Sequence, residues 1–399
     1  MKRRILFVDD EENVLHGLRR LLHGMKDEWE MEFHPDPEKA LAAVRSGGVE
    51  VVVSDFRMPG MDGLRLLEQV KKIDGHIVRL LLSGQVDQKM AVQSMGVAHQ
   101  FLTKPCDPQT LKEGIERAFA TREGLMGDSL KSTLAGMPHI PSAPALFQEI
   151  AGEIQRSEGS TRKVGTLISQ DIGLTGAVLK LINSSYFGMR RKIGSPEEAV
   201  NLLGLNTLKT LVLSIEMNRQ IACPPRFEGF VGQVNEHSMR CGLCARAIAQ
   251  KEGVDAAFAG SAFTAAVLHD AGKLLLLANF PDRSGEYLET IRLGPAHEVE
   301  RRLFGASHAE IGAYLLGLWG LPDEIVDAIA FHHEPSRSMN QAFSPLSVVH
   351  FSELAASDEE GAVAEFRALD REYYARLKME SHLIDWTAIA KTLKATLAA

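Results

Sequence analysis

Five polar residues in the first third of the chain, Asp9, Asp10, Asp55, Ser83 and Lys104, are of types that could carry phosphoryl chemistry if the fold brought them together. Three clustered carboxylates cannot all stay ionised without a counter-charge, so a hard divalent ion with oxygen ligands, Mg²⁺, is implied. Lys104 would add a second positive charge and Ser83 a hydroxyl donor. Together these groups could hold a phosphoryl group carried on a carboxylate oxygen, an aspartyl phosphate. A second concentration of chemistry lies at Leu268-His269-Asp270-Ala271-Gly272-Lys273, where an imidazole and a carboxylate adjoin at the end of an apolar helix. Such a pair can share one metal, with the carboxylate bridging to another, and Lys273, one helical turn after His269, could contact phosphate.

The elements that must position the first set are legible. Val51-Val52-Val53 is a β-branched run suited to a strand buried on both faces, and it stops at Asp55. Strands are expected at 5–8, 31–34, 77–82 and 100–103, with helices at 13–25, 37–45, 62–72 and 87–95 and a last helix starting at Asp107-Pro108. Strict alternation implies a doubly wound, five-stranded parallel sheet of flavodoxin-like type. Asp9, Asp10, Asp55, Ser83 and Lys104 each fall at or just past a strand end, and those ends share one edge of such a sheet.

The chain has 399 residues, a formal charge of −8 and no low-complexity tract. That length calls for at least two domains, and the charge argues against a generally nucleic-acid-binding surface. No apolar run is expected to approach bilayer length, and the start Lys2-Arg3-Arg4 precedes too short an apolar stretch for a signal peptide. Four cysteines do not make a disulfide framework at this size. A cytoplasmic protein without membrane insertion is expected.

By the order of these motifs, residues 1–122 resemble the receiver domain of a two-component response regulator. The resemblance implies Asp55 as phosphoacceptor, Asp9 and Asp10 as the acidic pair that binds Mg²⁺ with Asp55, and the Arg57 backbone carbonyl completing the metal shell. It further implies Ser83 as the switch hydroxyl, Lys104 as the conserved-type lysine, Phe101 as the aromatic that changes rotamer, and a sensor histidine kinase as partner. A helical linker is expected at 123–136, and Met137-Pro138-His139-Ile140-Pro141 marks the boundary.

From 137 to 399 strand signals nearly vanish and an all-α domain is expected. The motifs Gln170-Asp171-Ile172-Gly173-Leu174, Asn183-Ser184-Ser185-Tyr186-Phe187-Gly188 and Ala199-Val200-Asn201-Leu202-Leu203-Gly204-Leu205 resemble the HDOD family, an output module related to metal-dependent HD hydrolases. Such modules generally act by binding, without demonstrated catalysis, which implies a downstream protein or nucleotide ligand. By motif position His237, His269, Asp270, His308, His332, His333 and Glu353 match most of the catalytic HD ligand order, with Glu353 in place of an Asp, so Fe, Mn or another divalent metal could be held there. Two departures count against cyclic-di-GMP hydrolysis: His333-Glu334-Pro335 replaces a Gly-Tyr-Pro element, and Gln233 stands where some catalytic members carry Glu. The leading expectation is therefore a response regulator phosphorylated on Asp55 that acts through binding. The alternative is a phosphorylation-gated metallophosphohydrolase with Lys273 on phosphate.

Cys241 and Cys244 share a helical face with His237 and read as small core side chains. His297, His350 and His382 read as surface or capping residues, and 362–397 as two amphipathic helices. No recognition helix for DNA is discernible, and the sequence leaves room for a homodimer.

Overall fold

The computed structural model describes residues 2–75, 77–83, 97–98, 100–103, 111–112, 115, 128–137, 141, 143–154, 160–184, 187, 192–221, 223–291, 294–340, 342–356 and 368–398. Compactness divides the chain into two units, Met1–Ala145 with Leu315–Gly320, and Leu146–Tyr314 with Leu321–Ala399.

The first unit carries β1 (Arg3–Val8), α1 (Glu12–Leu21), β2 (Trp29–His34), α2 (Pro37–Arg45), β3 (Val51–Asp55), α3 (Gly63–Ile73), β4 (Val78–Ser83) and β5 (Gln100–Thr103). The five strands form one parallel sheet in the order β2-β1-β3-β4-β5. Every residue of β3 is buried, as a strand covered on both faces requires. Leu6, Val8, Val52 and Leu81 pack with Ala40, Leu41 and Val44 of α2 and Leu66, Leu67 and Val70 of α3. Asp36 caps α2 through Glu38 N–H, and Asp62 caps α3 through Arg65 N–H. The helix expected at 13–25 is shorter than its apolar pattern suggests: α1 stops at Leu21 and a separate 3₁₀ turn covers His23–Met25, where Gly24 weakens helix continuation. The helices expected at 87–95 and from Asp107 lie outside the described residues.

After Thr103 no strand occurs among the described residues. The helices are α4 (Asp128–Ala135), α5 (Ala145–Ile154), α6 (Thr161–Ser169), α7 (Ile172–Ile182), α8 (Pro196–Leu203), α9 (Leu205–Gln220), α10 (Glu228–Glu252), α11 (Ala256–Leu268), α12 (Ala271–Asn279), α13 (Ser284–Thr290), α14 (Ala296–Phe304), α15 (His308–Leu318), α16 (Asp323–Phe331), α17 (Pro345–Ala356), α18 (Arg371–Arg376) and α19 (His382–Ala398). The 25-residue α10 packs against α11 and α17, and α16 packs on both of these. Gly253 ends α10 in a left-handed conformation and Asp255 then caps α11, so the turn between them is written in two residues. The tail forms α18 and α19. Trp386 of α19 is fully buried and donates to Glu252 Oε1 at 2.6 Å.

Ala256–Asn279 is the one described stretch with the length and composition of a membrane span, a departure from the expectation that no apolar run approaches it, and 83% of its most apolar 18-residue window is buried inside the structure. Its apolarity is that of a core helix pair, broken at His269-Asp270.

Candidate functional site

The sheet register builds the first site. Val8 pairs with Ser54, so Asp9 follows β1 at the level of Asp55. Asp55 pairs with Leu82 and Ser83 with Thr103, so Ser83 ends β4 beside them and Lys104 would follow β5. Lys104 itself lies outside the described residues, and Phe101 lies in β5 opposite Leu81. Asp9 and Asp55 are buried, while Asp10 is exposed. Asp9 Oδ1 accepts from Glu11 N–H at 3.0 Å and Asp55 Oδ2 from Arg57 N–H at 2.8 Å, which fixes the orientation of both carboxylates. The groups of ligand atoms mutually within 4.8 Å found among the described residues lie in the helical unit.

Gly63 explains how α3 can start so close to that edge. A Cβ there would stand 1.9 Å from the Asp55 carbonyl oxygen, and Gly63 N–H donates to Phe56 O at 3.0 Å. Gly63→Ala should therefore displace the Asp55 turn and cost about 1–3 kcal/mol or more, read as a lower urea midpoint for the sheet domain.

The second site lies in the helical unit, where the structure brings together all seven residues expected from motif position. His269 closes α11 and Asp270 precedes α12; His237 comes from α10, His308 from α15, His332 and His333 from the end of α16, and Glu353 from α17. Glu353 Oε2 lies 2.5 Å from His237 Nε2 and 2.8 Å from His269 Nε2. Asp270 Oδ1 lies 3.2 Å from His308 Nε2 and 3.6 Å from His269 Nε2. His308 Nε2 lies 3.4 Å from His332 Nε2 and 3.1 Å from His333 Nε2. Three groups have ligand atoms mutually within 4.8 Å: His237, Cys241, His269 and Glu353; His269, Asp270 and His332; and His308, His332 and His333.

The outward nitrogens decide what the inward ones can do. Nδ1 of His269 donates to Ala266 O and Nδ1 of His332 to Ile329 O, each at 2.7 Å. Nδ1 of His308 lies 2.5 Å from Glu300 Oε2. With Nδ1 engaged, each ring turns Nε2 toward the others, the arrangement a metal ligand adopts when its second nitrogen is held. His269 Nε2 and Asp270 Oδ1 are buried and make no hydrogen bond of acceptable geometry among the described residues, close as their neighbours are. Both atoms nevertheless lie at ion-pair distance from a partner, His269 Nε2 from Glu353 and Asp270 Oδ1 from His308, and imidazoles and carboxylates grouped this closely are a donor set that could hold a divalent cation.

Burial opposes ionisation of Asp270, but Lys273 and His269 hold it well below the usual carboxylate range; for Glu353, His237 and His269 outweigh burial in the same sense. Burial also opposes Glu300, which His308 keeps ionised. Three carboxylates thus face the Lys273 ammonium and the imidazoles of His237 and His308, whose proton affinity these acids raise against burial. Burial and neighbouring imidazoles hold His332 and His333 well below an ordinary histidine, while Glu300 overcomes burial and lifts His308 to about 9.

Several residues of the centre carry roles the motifs did not show. Glu300 is fully buried and accepts from Tyr287 OH at 2.6 Å and from His308 N–H at 2.7 Å. Its only trace in the sequence is an acid in the helix before His308. Glu300→Gln should keep the shape and weaken divalent-metal retention roughly ten- to a hundredfold, checked by competition with a chromogenic chelator. Gly272 lets α12 and α15 meet, since a Cβ there would stand 2.0 Å from the His308 carbonyl oxygen. Lys273 Nζ donates to Asp270 Oδ2 at 2.7 Å, so the side chain expected to reach a phosphate is engaged by the doublet's own carboxylate.

Two histidine expectations need correction. His350 is a buried spacer and no surface residue: its Nδ1 donates to His332 O at 2.6 Å and its Nε2 accepts from Asp370 N–H at 3.1 Å. His297 stacks on His333 with ring centroids 4.5 Å apart. Both reach the centre only through tertiary packing, which local sequence does not display. His382 does sit at the start of α19, paired with Glu252 at 2.9 Å. Cys241 and Cys244 are buried free thiols as expected, although Cys241 also joins a ligand group.

The HDOD domain family matches residues 140–335, and the response regulator receiver domain family matches residues 5–116. The chain is a receiver domain fused to an HDOD domain. An uncharacterized protein of Treponema pallidum is 29% identical over 217 residues, 54% of this chain and 42% of that protein. The cyclic di-GMP phosphodiesterase response regulator RpfG of Xanthomonas campestris pv. campestris is 25% identical over 207 residues, 50% of this chain and 52% of RpfG. The chain thus spans about half the length of these curated relatives. An HDOD domain protein of unknown function from Geobacter sulfurreducens shares the fold of the helical part, with a TM-score of 0.52 at 20% identity over 67% of this chain and 97% of that one. The receiver–HDOD architecture is consistent with two-component signalling.

Proposed function

We propose that a histidine kinase phosphorylates Asp55 with Mg²⁺ held by Asp9, Asp10, Asp55 and the Arg57 carbonyl, and that the phosphorylated receiver changes how the HDOD domain binds its protein or ligand target. The observation that supports this most is the register that sets Asp9, Asp55 and Ser83 at adjacent strand ends of one sheet. Mg²⁺ would neutralise the acids and the incoming phosphoryl oxygens. Ser83 and Lys104 would bind those oxygens, and Phe101 would follow the movement of Ser83. The test is labelling of the full chain by a small phosphodonor: label that depends on Mg²⁺ and disappears on chelation supports the reading, and label indifferent to chelation refutes the metal assignment.

A second reading, a metallophosphohydrolase, is favoured by Asp270, whose Oδ1 lies 3.6 Å from His269 Nε2 and 3.2 Å from His308 Nε2 and could serve both groups of donors. His237, His269, Asp270 and Glu353 would hold one ion and Asp270, His308, His332 and His333 a second, of the Fe or Mn class. Such ions would supply Lewis acidity toward a phosphoester. Against this reading, Glu334 is engaged by Arg301 at 2.5 Å and by Arg337 at 2.8 Å in the segment where hydrolytic relatives carry Gly-Tyr-Pro. Metal analysis of the purified chain, then phosphodiesterase assay with Mn²⁺ or Fe²⁺ on cyclic dinucleotides and mononucleotide esters, separates the readings. Turnover lost in His308→Ala supports hydrolysis. Absence of stoichiometric metal ends it.

A further inference from the structure

The last two helices are held by different means. α18 is fixed by Tyr373 and Tyr374, both buried, whose hydroxyls meet Ser347 of α17 at its Oγ, 2.7 Å away, and at its carbonyl oxygen, 2.6 Å away. α19 buries one of its described residues, Trp386, whose ring meets Phe351 and Tyr374 edge-on and whose Nε1 donates to Glu252 Oε1. Its other grip is polar and lies in the first turn, where His382 pairs with Glu252 at 2.9 Å and Asp385 with Lys251 at 3.0 Å. Farther along, Leu393 and Leu397 line a groove with Cys244 of α10 and Ala355 of α17, and Ile384 is 75% exposed. The turn between α18 and α19 is strained. Lys378 is the one non-glycine among the described residues with a left-handed backbone, at φ +58°. Lys378 N–H bonds Ala375 O and Met379 N–H bonds Tyr374 O, both at 3.0 Å, so Lys378 occupies the position after a helix where glycine is favoured and an L side chain crowds the backbone. A strained hinge between a firmly held and a lightly held element is the arrangement that invites exchange of that element between copies.

We propose that α19 swings out about Lys378 and enters the same groove of a second copy of this chain, giving a dimer in which the two last helices are exchanged. Complementarity fixes the occupant. The groove offers an aromatic socket for an indole, the Glu252 carboxylate for two N–H donors and the Lys251 ammonium for an acid, and Trp386, His382 and Asp385 of another copy supply that set unchanged. Each contact of α19 in its own chain recurs across the dimer, so the balance between the two forms rests on the hinge and on the entropy of association. Straightening the hinge frees Lys378 from its left-handed backbone, which favours exchange. An empty groove is no competing state, because it would leave Trp386 in water. Exchange requires neither a metal in the helical domain nor a phosphoryl group on Asp55.

The test mixes monomer fractions of isotopically light and heavy full chains, concentrates the mixture, and treats it with a zero-length carbodiimide, which joins an ammonium to a carboxylate in contact with it. Lys251 and Asp385 are such a pair. The expected result is that dimers separated by gel filtration carry Lys251–Asp385 links between a light and a heavy peptide, while monomers carry links of a single isotope. Lys378→Gly keeps every contact of α19 and relieves the turn, so it should hold the dimer roughly tenfold more weakly. A chain that stays monomeric on concentration overturns the exchange. Dimers whose Lys251–Asp385 links are all of a single isotope overturn it too, since such dimers meet through another surface. Mixed-isotope links with unchanged dimerisation of Lys378→Gly would overturn the role of the hinge.

Discussion

Asp55→Asn will leave the chain unlabelled by a small phosphodonor under conditions that label the wild type. Asp55 is the last residue of a fully buried strand and its Oδ2 is oriented by the Arg57 N–H. Asparagine has the same shape and can accept the same bond through its amide oxygen, so the sheet should persist. What it lacks is an anionic oxygen to attack phosphorus. Loss of label should therefore be complete while the far-ultraviolet circular dichroism stays unchanged. Full labelling of the variant would move the acceptor to another acid of that edge, Asp9 or Asp10.

The second large effect concerns the helical domain. Asp270→Ala should abolish retention of divalent metal and destabilise the domain by roughly 3–5 kcal/mol, because it removes the carboxylate that accepts from Lys273 at 2.7 Å and strands a buried ammonium. Asp270 is itself almost fully buried, so no other group replaces it from solvent. Urea unfolding followed by circular dichroism, with metal analysis of the same preparation, reads both losses. Lys273→Met in the Asp270→Ala background should recover much of the stability and none of the metal. Recovery of both together would show that the doublet's role is packing alone.

The parts of this fold that were legible in sequence are those fixed by local chemistry. Val51–Val53 could be read as a central strand because burial on both faces removes alternation, and the acids at strand ends follow from that reading. The His269-Asp270 doublet was visible because its members are adjacent. Glu353 was placed by motif order with a longer side chain than usual, and the structure sets it between His237 and His269. The supporting groups were not legible. Glu300 and Tyr287 act on His308 across separate helices, His350 spaces His332 from Asp370, and His297 covers His333, all through contacts that carry no sequence period. Cys241 is buried as expected, but its 3.8 Å approach to Glu353 of α17 exists only once α10 and α17 are packed.

The state of Asp55 is expected to alter the HDOD domain, and hydrogen exchange measured by mass spectrometry on the full chain reads that coupling. With Mg²⁺ and a small phosphodonor, peptides from the helical domain, those covering α10 to α12 and α17 among them, should change their exchange in the wild type and stay unchanged in Asp55→Asn. A fully phosphorylated wild-type chain whose helical domain exchanges identically to the unphosphorylated one would contradict it.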